Sequence, residues 1–136
     1  MIGPLNHVGV AVPDIGEAIG FYRNMLGAAD ISKPAPLPDQ GVTFAFVSLP
    51  SGQIELIEPL GEASPLHTFL RRHPRGGQHH ICFEVGDVRA AMRDMEAKGL
   101  RVLGTPRPGA HGTDVVFLHP ANPSAVLIEL METPSA

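Results

Sequence analysis

Two spacings alternate along this chain. Residues 6–12 mix β-branched and small residues around His7, and Pro13-Asp14 ends the run, which predicts a strand. Ile15, Ala18, Ile19, Tyr22, Met25 and Leu26 then recur at intervals of three and four. That spacing predicts a helix with one apolar stripe, Asp14 as its N-cap and Gly27 as its C′ residue. A proline-bearing loop (Pro34, Pro36, Pro38) follows, with room for a short strand around Ile31-Ser32. Val42 to Leu49 is apolar almost throughout, so this strand is either covered on both faces or part of a tightly curved sheet. Pro50-Ser51-Gly52 is a turn, and Gln53 to Ile57 is a strand that ends by Pro59. Ser64-Pro65 then opens a short helix with Leu66, Phe69 and Leu70 on its apolar face, stopping before Pro74.

The second half repeats this order. A strand from His80 to Val85 leads to Asp87 as N-cap, and Val88, Ala91, Met92, Met95 and Leu100 give the helical stripe, interrupted at Gly99. A Pro/Gly loop spans Thr105 to Gly112, a strand Val115 to His119, a turn Pro120 to Ser124, and a last strand Ala125 to Met131. Placing His80 on His7 puts Val85 on Val12 and Asp87 on Asp14, a constant offset of 73 residues. Ile54-Glu55-Leu56 and Ile128-Glu129-Leu130 are one tripeptide 74 residues apart. The chain is two copies of one unit, with a connector between them.

The repeat points to chemistry. A glutamate between Ile and Leu in a strand points to the opposite face from both neighbours. If Ile and Leu meet the helix layer, Glu55 and Glu129 face the other side, where a buried carboxylate is costly unless paired or bound to a cation. A lone histidine opening a strand is more often solvated, and a lone strand glutamate more often faces water. Four such residues in matched positions of a repeat reverse that balance. His7, Glu55, His80 and Glu129 form an N/O ligand set suited to a divalent ion such as Co²⁺, Mn²⁺, Fe²⁺, Ni²⁺ or Zn²⁺.

Composition narrows the partners. A chain of 136 residues with 43% hydrophobic and 18% charged residues suits one soluble globular domain. Net charge is −4 and the basic residues are scattered, apart from Arg71-Arg72 and Arg75, which argues against nucleic acid. No apolar run approaches the roughly 20 residues that span a bilayer, and the start lacks the pattern of a signal peptide. A single cysteine, Cys82, excludes an internal disulfide, so a cytoplasmic location is the default expectation.

The duplicated unit with His-x-x-x-x-Val-x-Asp and Ile-Glu-Leu resembles the vicinal oxygen chelate superfamily of glyoxalases, extradiol dioxygenases and drug-resistance proteins. Within it the chain is most similar to the methylmalonyl-CoA epimerase family. The segments that carry this resemblance are residues 5–12, 40–42, 54–61, Ser64-Pro65, 77–85, 109–112, 117–120 and 126–130. The resemblance implies an α+β fold of two tandem βαβββ modules, about residues 3–60 and 78–132, joined by a connector helix within about 61–77. It implies that they form one domain over residues 1–136, a curved, partly open mixed sheet around a metal site. It implies metal ligation by His7, Glu55, His80 and Glu129, with Glu129 as ligand and base; the first glutamate position is Gln in some relatives. It also implies an isomerase acting on an acyl-CoA and a homodimer. For the single ion, Co²⁺ is the first choice and Mn²⁺, Ni²⁺, Zn²⁺ or Mg²⁺ are alternatives.

The sequence departs from that family at two places. Phe44 stands where some relatives keep a second catalytic Glu, which leaves Glu55 or a metal-bound water for the second proton transfer. The turn 121–125 lacks the Lys and Gly common in the family. Two other readings compete: another metal-dependent glyoxalase-like lyase or isomerase, and a metal-free protein that sequesters a small molecule. Alternation turns His79 away from His80 into a structural or supporting role, and His111 is either a substrate contact or a solvated loop residue. His119 is expected to end a strand, Glu58 and Glu62 to lie at the surface, and Cys82 to fill core, while His67 and His73 have no partner signal. Arg71, Arg72, Arg75 and Arg107 are available for CoA phosphates, and nothing in the sequence selects among them.

Overall fold

A computed structural model describes residues 2–135, which form two compact units: residues 7–79, and residues 2–6 together with 80–135. The first described residues of the chain lie in the second unit.

The first unit contains most of β1 (Leu5–Ala11), α1 (Ile15–Gly20), β2 (Ala35–Leu37), β3 (Val42–Leu49), β4 (Gly52–Pro59) and α2 (Leu66–Arg72). Its strands lie in the order β2-β3-β4-β1, with β1 parallel to β4 and the other pairs antiparallel. Ile15 and Ile19 of α1 pack on Ala45, Val47 and Leu56. On the other face Leu66 of α2 packs with Ala11, Val42 and Ile57. β3 is thus covered on both sides, which is why its sequence does not alternate.

Two expectations change here. The predicted first helix is cut short: α1 ends at Gly20, and Phe21–Met25 widen into a π-helical turn closed by Leu26 N–H to the Phe21 carbonyl at 3.2 Å. A wider turn rotates later positions off a three-four stripe. Tyr22 stays against the core, while Met25 and Leu26 are 78% and 61% exposed. The proline-bearing loop also contains a strand. β2 pairs Ala35 with Phe44 and Leu37 with Val42, and Pro36 is tolerated because β2 is an edge. Ile31 makes the isolated bridge, to Val47, that marks the expected short strand.

The second unit contains most of β5 (Gly77–Val85), α3 (Val88–Ala97), β6 (Val102–Pro108), β7 (Asp114–Leu118) and β8 (Leu127–Glu132), in strand order β5-β8-β7-β6. β5 and β8 are parallel. Val85, Val88, Val116, Leu118 and Leu130 form the core under α3, with Met92, Met95 and Leu100 packed against it. Cys82, Val115, Met131 and Phe117 cluster separately. The first half of the segment read as a loop, Thr105 to Pro108, is strand. β6 pairs with β7 on both sides of an irregularity between Leu103 and Arg107, which absorbs Gly104 at φ +71°. β8 starts at Leu127, two residues later than expected, after Ala125 at φ +59°.

Both helices begin as the sequence predicts. The Asp14 carboxylate accepts from Glu17 N–H, and that of Asp87 from Arg89 and Ala90 N–H. The Ala90 amide, more than any other group, holds the Asp87 carboxyl below its ordinary range.

Candidate metal centre

In the first unit, the parallel register of β1 and β4 sets Gly9 beside Glu55 and His7 beside Gln53. His7 and Glu55 are therefore diagonal neighbours on one face, while Ile54 and Leu56 face the α1 side, as the alternation requires. His7 is 2% exposed and Glu55 6%, and His7 Nε2 lies 3.4 Å from Glu55 Oε1. Phe46 stands directly across β3 from Glu55, and its ring meets that of His7 edge-on at 5.7 Å.

The second unit builds the same pair from other residues. Cys82 lies beside Glu129 and His80 beside Leu127, so His80 and Glu129 are again diagonal neighbours. They are 4% and 5% exposed, and His80 Nε2 is 3.2 Å from Glu129 Oε1. Phe117 pairs directly with Glu129 and presents its ring edge-on to His80 at 6.2 Å. In each copy the site is a histidine, a glutamate one diagonal step away, and a phenylalanine beside both.

Among the described residues, His7, Glu55, His80 and Glu129 are the buried histidines and glutamates that could hold a metal ion. The donor set fits one. An imidazole nitrogen with its lone pair free and a carboxylate oxygen are both ligands of first-row divalent ions, and facing one another they suit a shared cation. Their separations, 3.4 and 3.2 Å, exceed the roughly 2.7–2.9 Å of a charge-assisted N–H···O bond. They suit two ligands about 2.1 Å from one first-row ion, which sit roughly 3.0 Å apart at a right angle and 3.4 Å apart at a tetrahedral angle.

The remaining candidates separate from these pairs. Phe44 packs in the apolar cluster of Ala11, Val42, Ile57 and Leu66, with its ring 5.6 Å from that of Phe46. His79 meets Phe69 edge-on at 5.1 Å, in keeping with a structural place. Cys82 is fully buried, Glu62 is exposed, and His119 Nδ1 accepts from Ala121 N–H within a turn. His111 is half-buried rather than solvated. His67 and His73, without a partner signal in the sequence, have partners: His67 Nε2 bonds the Gly61 carbonyl at 2.9 Å, and the His73 ring lies 4.6 Å from that of Phe69. Arg71 bonds Thr68, and Arg75 lines a cleft of about 590 Å³ on the α1 side with Val10, Val12 and Tyr22.

Glu58 is the clearest miss. It is not a surface residue but accepts from Ile15 N–H at 3.1 Å, and Glu132 accepts from Val88 N–H at 3.1 Å. Each strand that carries a site glutamate thus also caps the helix of its own module three residues on. The signal was present in the sequence: the repeated tripeptide extends to Ile-Glu-Leu-x-Glu at residues 54–58 and 128–132.

With the fold and both pairs established, the comparisons with known proteins are decisive for the family. Residues 6–117 match the profile of the Glyoxalase/Bleomycin resistance protein/Dioxygenase superfamily, and the chain belongs to that superfamily. Within it, the chain is similar to methylmalonyl-CoA epimerases. The chain is 52% identical over 132 residues to the ethylmalonyl-CoA/methylmalonyl-CoA epimerase of Cereibacter sphaeroides, covering 96% of this chain and 98% of that one. The methylmalonyl-CoA epimerase of Mycobacterium tuberculosis superposes with a TM-score of 0.89 at 33% identity, covering 98% of this chain and 90% of that one. A Streptomyces coelicolor methylmalonyl-CoA epimerase variant in complex with 2-nitronate-propionyl-CoA gives 0.91 at 31% identity, over 100% and 98%. The α+β fold implied by the sequence resemblance is the fold of these proteins.

Proposed function

We propose that this protein interconverts (R)- and (S)-methylmalonyl-CoA by removing and returning the proton at C2, an isomerase reaction. The observation that carries this reading is the 52% identity across nearly the whole of both chains to the Cereibacter sphaeroides epimerase. Both buried His–Glu pairs agree with it. The relative's name adds ethylmalonyl-CoA, so the substrate class is a 2-alkylmalonyl-CoA.

The reacting proton lies between a thioester and a carboxylate, and its loss creates an enolate beside an existing negative charge. His7, Glu55, His80 and Glu129 of the two modules would together hold one divalent ion, Co²⁺ first and then Mn²⁺, Ni²⁺, Zn²⁺ or Mg²⁺. That ion, when bound, supplies Lewis-acid stabilisation of the developing charge. The histidines hold position, each against its own phenylalanine edge. Glu129 takes the C2 proton with one carboxylate oxygen while the other faces His80. Inversion needs a second group to return a proton. Phe44, locked among apolar side chains, cannot supply it, and Glu55 takes that role.

The other readings are weaker. Four buried ligand-type side chains have no use in a metal-free sequestering protein, and the relatives above are epimerases rather than lyases. A homodimer and a cytoplasmic location complete the proposal; the single buried Cys82 accords with a reducing compartment, and light scattering tests the dimer. Among the described residues no helix is long and apolar enough to cross a membrane. The direct test is deuterium uptake at C2 of methylmalonyl-CoA and ethylmalonyl-CoA in D₂O by the metal-loaded protein. Uptake by methylmalonyl-CoA is expected; none from either ester, with metal bound, sinks the proposal.

A further inference from the structure

We propose that Arg107 is the cation that binds an anionic group of the substrate at the rim of the second half-site. This rests on the epimerase reading above.

Four arginines were open candidates in the sequence, and the fold separates them. Arg71 and Arg72 sit on exposed positions of α2, where Arg71 bonds Thr68, and Arg75 opens onto the α1 side of the sheet, away from the face that carries His7 and Glu55. Arg107 lies on β6 beside Val115, and Val115 belongs to the cluster of Cys82, Met131 and Phe117. Cys82 and Phe117 flank Glu129 in register, and Met131 shares its face of β8, so this cluster lies on the site face.

The Arg107 guanidinium is held over the Phe117 ring, 5.9 Å from its centroid, and the same ring meets His80 edge-on. One aromatic side chain therefore separates this cation from the site histidine. A cation–π contact draws the guanidinium to the ring face while leaving its N–H donors available. Arg107 is also exposed, whereas Arg89 and Lys98 of the same unit are engaged with Asp114 and Asp94. An exposed guanidinium beside the second half-site suits an oxyanion that accepts two parallel hydrogen bonds. The substrate has two sources of that chemistry: the carboxylate next to C2 and the phosphates of CoA.

Calorimetric titration of the metal-loaded protein with methylmalonyl-CoA, and with methylmalonyl-pantetheine, which lacks the phosphates, tests this without requiring turnover. R107A is expected to weaken binding about tenfold, with R107K recovering part of it and the unfolding temperature unchanged. Weakening confined to the CoA ester assigns the phosphates; weakening of both esters assigns the carboxylate. Unchanged affinity for both esters overturns the proposal. C2 deuterium uptake by wild type, measured alongside, separates its failure from failure of the epimerase reading, since the affinities decide Arg107 whether or not exchange occurs. If wild type exchanges, R107A should raise KM about tenfold while kcat stays within about twofold.

Discussion

The two modules are one design carried out twice, and they differ in an instructive way. The strand layer is duplicated contact by contact: a His–Glu diagonal at 3.4 and 3.2 Å, a phenylalanine across from each glutamate, and a second glutamate capping each helix. The helix layer has drifted. α3 is a regular ten-residue helix, whereas α1 gives way after six residues to a π-helical turn that exposes Met25 and Leu26. A ligand pair fails if its strand register slips by one residue, because every side chain then changes face. A helix that only has to cover its sheet tolerates changes in length and pitch. Where the copies agree, the site constrains them.

The comparison is broken most strongly at the glutamates, where equal geometry should conceal unequal roles. E129Q removes the proposed base and should lower C2 exchange about 10³-fold. E55Q keeps an oxygen donor beside His7 and leaves Glu129 to remove the C2 proton. Exchange of the enantiomer that Glu129 deprotonates should therefore fall only about tenfold, while net epimerisation, which needs the proton returned on the other face, should fall about 10³-fold. Equal losses of that exchange would mean that Glu55 also removes the proton, and the assignment of Glu129 as base for that enantiomer would be wrong.

The histidines should instead behave alike. H7A and H80A each delete one proposed nitrogen ligand and should each weaken metal affinity at least about 100-fold, measured by metal content after dialysis against graded chelator. Metal removal from wild type should also lower stability, because an ion at 100 times its Kd contributes about 2.7 kcal/mol. A loss in only one variant would show that the pairs do not serve a common ion.

Much of this was legible before the fold was known, and the reason is the repeat. A single His7 or Glu55 is ambiguous; a second copy at a constant offset turns strand alternation into a statement about a buried face. The repeat also holds Glu58 and Glu132, yet a strand glutamate beside Pro59 reads as solvent-facing unless the helix amide it meets is known. The π turn after Gly20 leaves no mark in a three-four spacing, because the same residues satisfy it on paper. β2 and most of β6 were hidden by Pro36, Pro106 and Pro108, which local rules read as loop and an edge strand accepts. Arg107 acquires a place only when β6 is known to lie beside β7.

The capping glutamates sharpen the agreement between modules. E58A and E132A should each destabilise by about 1 kcal/mol in denaturant unfolding, the usual cost of losing a helix-start acceptor. Exchange at saturating substrate should be preserved in both. The N-cap of α3 supplies a pH response. The Asp87 carboxyl is held below its ordinary 3.8, chiefly by the Ala90 amide. Its contribution to stability is therefore complete above the unfolded-state pKa and is lost as pH falls through the lower folded value. D87A should flatten the acid limb of a stability–pH curve, and an unchanged limb would show that the cap carries no linked proton.

The smallest effect is expected in the turn before the last strand. The corresponding turn of the first module ends on Gly52 at φ +147°, whereas the second places Ala125 at φ +59°. A non-glycine residue in the left-handed region costs about 1–2 kcal/mol in the folded state. Against this, alanine restricts the unfolded chain more than glycine does, which is worth about 0.4–1 kcal/mol in its favour. The first term is the larger, so A125G should raise stability by about 0.5–1 kcal/mol, or roughly 2–4 °C in Tm for a chain of this size. Asn122, whose side chain bonds the His119 and Val126 carbonyls, holds the turn closed whichever residue stands at 125. A fall in Tm on A125G would therefore mean that the alanine side chain contributes packing that outweighs its backbone strain.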